Sequence, residues 1–218
     1  MKLWGGRFAE GPSKIFEEFS GSLDFDKRLF FADVEGSRAW VSALQRIGIY
    51  TAAEAEHVRA ALAALADDAR GDPAYFSASD EDVHTLVQRK LGEKPGMEVL
   101  AARLHTGRSR NEQVGVDVRL WMKQEIDGAV QRLDLLLDAL VAQAEAHPDL
   151  VLPGYTHLRR AQPVVWGHYL MAYFEMFARD RRRLLAARDS ADAMPLGDRK
   201  STRLNSSHIQ KSRMPSSA

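Results

Sequence analysis

The chain has 218 residues, 30 Lys plus Arg against 30 Asp plus Glu, no cysteine, and a composition that is 45% hydrophobic and 28% charged. A net charge of zero argues against nucleic acid or a membrane surface held by bulk charge. Without cysteine, disulfide scaffolds, thiolate metal sites and a cysteine nucleophile are excluded, and a reducing, cytoplasmic setting is expected.

Up to Asp26 the chain is rich in Gly, Ser and Phe without helical periodicity, which predicts an extended arm with local turns. Its opening, MKLWGGRF, has no apolar run of the signal-peptide kind. From Asp33 to Ile47, apolar residues at Val34, Trp40, Val41, Leu44 and Ile47 recur mostly at steps of three and four, and Gly48 follows as a stop. Thr51 and Glu54 make a capping box for a second helix that ends near Gly71-Asp72-Pro73. Ser79 or Asp80 is expected to cap a short helix through Leu91, closed by Gly92. Between Ser109 and Ala146 there is no proline, and Val114, Val118, Met122, Ile126, Val130, Leu133, Leu137, Leu140 and Ala144 repeat every three or four residues. That predicts one helix on the order of 50 Å long at ~1.5 Å per residue. Leu135, Leu136 and Val141 widen its apolar stripe, so several helical neighbours are expected. His147-Pro148 ends it, and a loop is expected to lead to a helix that starts at Pro163 and is apolar nearly all round through Phe177. The stretch Val164 to Ala178 is interrupted by His168 and Glu175 and is too short to span a bilayer. No segment alternates with period two, so the expected class is all-α. Beyond Gly197 the composition turns to serine and basic residues, which predicts a disordered tail of foreign origin.

Seven histidines are present, but none falls in a recognised ligand spacing and cysteine is absent, so no metal is expected; no phosphate-binding glycine loop is present either, so nucleotide-binding loops are not expected. The basic run Arg179 to Arg183 reads as a solvated, ion-paired helix face. Two polar islands stand out. His105-Thr-Gly-Arg-Ser-Arg-Asn111 opens the longest helix, where unpaired amides and arginines favour a carboxylate or phosphate; an N-terminal turn paired with surface acids is the equal alternative. Gly154-Tyr-Thr-His157-Leu-Arg-Arg-Ala-Gln-Pro163 opens the most apolar helix, and a lone histidine there is more often structural than catalytic. A weaker group, Asp80-Glu-Asp82-Val-His84-Thr85, combines acids and a histidine in what reads as a helix cap.

MKLWGGRF, FSGSLDFDKRL, EDVHT at 81–85, HTGRSRNEQV at 105–114 and PGYTHLRRAQPVVWGHYL at 153–170 together resemble the argininosuccinate lyase family of the fumarase/aspartase superfamily, in register to about Gly197. Glu112 stands where that family usually has Asp, and Arg159 where it has Gln. The resemblance implies an all-α, fumarase/aspartase-like fold, with an N-terminal helical domain over 1–105, part of a long-helix bundle over 106–197, and a foreign tail over 198–218. It implies a cofactor-free elimination of argininosuccinate to arginine and fumarate, carried out by a homotetramer whose active sites draw motifs from three chains. His157 is implied in the acid/base machinery. Ser22, Asn111 and Thr156 are implied at the succinyl carboxylates, with Arg110 and Asp26 nearby and Asp82 and His84 lining the pocket. The family's catalytic serine lies well beyond residue 200, and Ser206-Ser207 lacks its context. A sister lyase of the aspartase or fumarase type, or a structural crystallin-like relative, are the alternatives.

Overall fold

The computed structural model describes residues 13–72, 74–76 and 80–195. The opening motif through residue 12, Ser79 and the tail from 198 onward lie outside the described residues. Among the described residues, eight α-helices, one short 3-10 turn (Lys27–Leu29) and one hairpin follow in order: α1 (Lys14–Ser20), α2 (Leu23–Asp26), α3 (Phe30–Arg46), α4 (Ala52–Gly71), α5 (Val83–Gly92), α6 (Glu98–Arg103), α7 (Arg110–Ala146), β1 (Val151–Thr156), β2 (Arg159–Val165) and α8 (Trp166–Ala191). No described helix is long and apolar enough to cross a membrane.

Two compact units divide these residues, one reaching to Val118 and taking in Met194 and Pro195, the other Arg119–Ala193. The change falls inside α7, whereas the sequence suggested a division at 105/106.

In the first unit α3 packs on α4 and α5, and α5 on α6. Val41 and Leu44 of α3, Val58, Leu62 and Leu65 of α4, and Leu86 and Leu91 of α5 are fully buried. Each such side chain contributes roughly 1.5–3 kcal/mol relative to exposure. Phe30, Tyr75 and Phe76 meet edge to face, with centroids 5.2–5.5 Å apart. Gly48, at φ +80°, ends α3 as expected, because a left-handed residue is needed to turn the chain toward α4. The Thr51 box closes in both directions: Glu54 N donates to Thr51 Oγ1 at 3.2 Å, and Thr51 N to Glu54 Oε2 at 2.8 Å.

Three boundaries differ from the expectation. Part of the arm is helical, as α1 and α2. α5 is capped by Asp82, whose Oδ1 accepts from Thr85 N at 2.7 Å, while Asp80 turns away to bind Arg89 with both oxygens. The third correction is the segment read as a loop running into a helix at Pro163. It forms the β1–β2 hairpin, and α8 begins only at Trp166. Pro153 lies opposite Pro163, so neither proline, lacking N–H, is asked to donate across the ladder. The register shifts between Pro153 and Tyr155, and a Cβ on Gly154 would sit 2.8 Å from the Gln162 carbonyl oxygen, so the irregularity needs glycine. Period two was invisible because both faces of the hairpin are largely exposed and neither carries an apolar row.

In the second unit Arg181 grips Asp134 (2.5 and 3.1 Å) and Arg188 grips Asp127 (2.5 and 3.0 Å), tying α8 to α7. Each arginine holds its partner carboxylate below the usual range. The basic run is thus the ion-paired face expected, with Arg183 on Asp180 and Arg179 near Glu175.

Candidate active site

α2, the N-terminus of α5 and the first turns of α7 bring six of the expected residues into the first unit. Ser22 and Asp26 lie one turn apart on and before α2, and Ser22 Oγ donates to Asp26 Oδ2 at 2.5 Å. Ser22 N donates to the Glu81 carbonyl at 2.7 Å, and Val83 N to Asp26 Oδ1 at 3.2 Å, which pins this segment to the start of α5. Burial raises the Asp26 carboxyl above its ordinary value, against the lowering by its two donors and by His84.

Asp82 uses one oxygen as the α5 cap and turns the other toward Arg110 Nε at 3.8 Å. Arg110, the first residue of α7, also donates from Nη1 to Gln113 Oε1 at 3.0 Å. Asn111 follows on the exposed side. The turn 105–109 is closed by Arg108 N donating to the His105 carbonyl, and Gly107 supplies its positive φ of +69°. A half-buried guanidinium, an exposed amide and a helix N-terminus converge here, a set suited to a carboxylate.

Behind this edge lies a polar cluster that local reading missed except for His84 and Arg108. Asp33 and Ser37 sit one turn apart on α3, and Gln113 and Asp117 one turn apart on α7; all four are buried. Gln113 Nε2 donates to Asp33 Oδ1 at 2.5 Å, Ser37 Oγ to the same oxygen at 3.4 Å, and Arg108 Nη1 to Ser37 Oγ at 2.9 Å. His84 is buried as well, with Nδ1 3.5 Å from Asp33 Oδ2 and 3.4 Å from Asp117 Oδ2. Burial pushes the Asp117 carboxyl up to about 9, and the neighbouring Asp33 charge pushes the same way. Burial also acts on Asp33, but His84, Arg108 and Gln113 outweigh it and hold that carboxyl below its ordinary value. Gly36 leaves room for this cluster: a Cβ there would stand 3.3 Å from Asp117 Oδ1 and 3.5 Å from Arg108 Nη2, so the side chains would have to shift slightly to admit one. The available signal was a pair of polar residues, Asp33 and Ser37, in phase with the apolar Val34, Val41 and Leu44 of one helix.

Thr156 and His157 belong to the second unit. Thr156 ends β1, and His157 and Leu158 form the two-residue turn to β2, with φ of +48° and +63°. Two left-handed residues make the type I′ turn that suits a right-twisted hairpin, and the imidazole is presented on an exposed tip.

The folded helices are those of the fumarase/aspartase superfamily, and the chain belongs to the family whose model is described as "Lyase", matched over residues 6–206. It is 50% identical over 197 residues to the argininosuccinate lyase of Solibacter usitatus (strain Ellin6076), covering 90% of this chain and 42% of that protein. The argininosuccinate lyase of Desulforudis audaxviator (strain MP104C) is 47% identical over 196 residues, with the same coverage. The chain therefore spans about two fifths of the length of these relatives. Among solved structures, an EDDS lyase variant with bound fumarate superposes with a TM-score of 0.66 at 25% identity, covering 87% of this chain and 37% of that one. The β-carboxy-cis,cis-muconate cycloisomerase of Acinetobacter calcoaceticus sp. ADP1 shares the fold, with a TM-score of 0.62 at 19% identity, over 84% of this chain and 44% of that one.

Proposed function

We propose that the protein containing this chain is a carbon–nitrogen lyase that splits argininosuccinate into arginine and fumarate without a cofactor, in the cytoplasm and as a homotetramer. The observation that supports this most is that Arg110 and Asn111 open α7 beside Asp82, in a chain so similar to proteins named argininosuccinate lyase.

The elimination needs a base to take the proton beside a carboxylate, donors to hold the resulting aci-carboxylate, and an acid to protonate the departing nitrogen. In this reading Ser22, Arg110, Asn111 and Thr156 bind the succinyl carboxylates. Asp26, Asp82 and His84 stand behind them and fix their geometry, since each already holds a helix end, a guanidinium or the buried cluster. His157 moves a proton from its exposed turn, worth ~10²–10⁴ in rate for a positioned group. Exposed apolar residues on α7 and α8, among them Leu135, Leu136, Tyr173 and Met176, are the faces that association of copies would cover. The relative with bound fumarate favours a fumarate-releasing reaction over one that only shares the fold.

The test supplies argininosuccinate, aspartate and malate separately and follows fumarate by its ultraviolet absorbance. Release from argininosuccinate alone is expected; release from aspartate or malate instead would move the assignment to a sister lyase.

A further inference from the structure

We propose that Gln113 is a positioning residue for substrate binding: its buried side-chain amide, held by Asp33, fixes the guanidinium of Arg110 where a substrate carboxylate docks. This rests on the reading of Arg110 as a carboxylate-binding residue. Gln113 stands one turn after Arg110 on α7, so the two side chains share a helix face. Gln113 is 2% exposed, whereas the Arg110 side chain is 33% exposed. The glutamine thus belongs to the interior and the arginine to the rim. Gln113 Oε1 accepts from Arg110 Nη1 at 3.0 Å, and Gln113 Nε2 donates to Asp33 Oδ1 at 2.5 Å.

The two partners leave the amide one orientation. A guanidinium only donates and an ionised carboxylate only accepts, so turning the amide over would set donor against donor and acceptor against acceptor. Asp33 is itself anchored on α3, where Ser37 Oγ donates to the same oxygen at 3.4 Å and Arg108 Nη2 lies 3.8 Å from it. Arg110 is therefore steadied at two corners, Nη1 by Gln113 and Nε by Asp82 Oδ2 at 3.8 Å. Among the described residues nothing else bonds this guanidinium, which leaves Nη2 for a ligand. A long arginine side chain loses freedom when it grips a ligand, and a brace already in place removes part of that cost from binding. A neutral amide does so without cancelling the positive charge, whereas a carboxylate at this position would compete with the substrate's own.

The test follows fumarate release from argininosuccinate, and succinate affinity by calorimetry, in the whole protein carrying Gln113→Met, which keeps the side chain's length and removes both hydrogen bonds. KM and the succinate Kd should rise ~10-fold with kcat within about 2-fold, the pattern of an interaction made equally in the ground and transition states. Gln113→Asn retains the amide but is one methylene too short to span both partners, and it should raise KM likewise. In an Arg110→Ala background the same Gln113→Met change should raise KM less than ~2-fold, because the residue it acts through is gone. Unchanged KM and Kd in variants that keep the parent's circular dichroism overturn the brace. So does an effect on kcat alone, an effect undiminished in Arg110→Ala, or loss of the native fold in both variants, which would make Gln113 a purely structural residue. A parent that binds succinate but releases no fumarate from argininosuccinate refutes the lyase reading instead, and the succinate affinities then decide the brace.

Discussion

Burial holds the imidazole of His105 at about 4, well below its ordinary value, and the guanidiniums of Arg110 and Arg108 act in the same direction. The folded chain therefore keeps His105 neutral while the unfolded chain takes up a proton below its ordinary value near 6.5, so this group's contribution is lost as pH falls from about 6.5 to 4. Asp117, with its pKa pushed up to about 9, gives the opposite slope over the same interval, so the net curve of the parent hides both. The difference between parent and His105→Gln isolates the effect. In urea titrations the parent should lose stability relative to the variant by up to ~1.4 kcal/mol per pH unit across that window. Parallel curves would show that His105 titrates normally. Leu158 offers a second residue-scale test: it is 98% exposed, makes no packing contribution to forfeit, and sits at φ +63°. A left-handed conformation costs an L-residue roughly 1–2 kcal/mol, of which the extra unfolded-state freedom of glycine returns only part. Leu158→Gly should therefore stabilise the hairpin by about 0.5–1 kcal/mol, read as slower amide exchange along β1 and β2.

Elements whose ends carry their own chemistry were legible from the sequence. The Thr51 and Glu54 box starts α4, Gly48 ends α3, and the unbroken spacing after Ser109 gives all of α7. Thr51→Ala removes the hydroxyl that accepts from Glu54 N and should lower thermal stability by ~1 kcal/mol, with a larger loss if Glu54 also releases Arg103, 3.1 Å away. An unchanged melting temperature would mean that the box is ornamental to α4. What escaped the sequence did so for physical reasons. The hairpin has no buried face to impose alternation, and α5 is capped at Asp82 because Asp80 is drawn off by Arg89, a long-range ion pair that no local rule reveals. Likewise Asp33, Ser37, Gln113 and Asp117 look like ordinary helix polar residues until the fold sets Gln113 of α7 on Asp33 of α3. Ser22 and Asp26 come from the family resemblance alone, whereas local reading marks the island holding Arg110 and Asn111 as suited to a carboxylate and the group holding Asp82 and His84 as a helix cap.

At the scale of the molecule, the first unit has a closed apolar core, while the second consists of two long helices and a hairpin with few buried side chains, Val130, Leu137, Leu170 and Ala191 among them. Such a unit gains stability mainly by covering its apolar faces with further helices, which agrees with assembly from several copies. His157 and Leu158 hold positive φ in the exposed turn between β1 and β2, a conformation that costs residues other than glycine free energy. The central claim is that this imidazole transfers a proton during elimination. Its most direct test is the rate of fumarate release from argininosuccinate by the whole protein with His157→Asn, a substitution that asparagine's tolerance of positive φ makes structurally mild. The account predicts kcat lower by ~10²–10⁴ with KM little changed, since a proton-transfer group acts in the transition state more than in binding. A variant with the parent's kcat would contradict it.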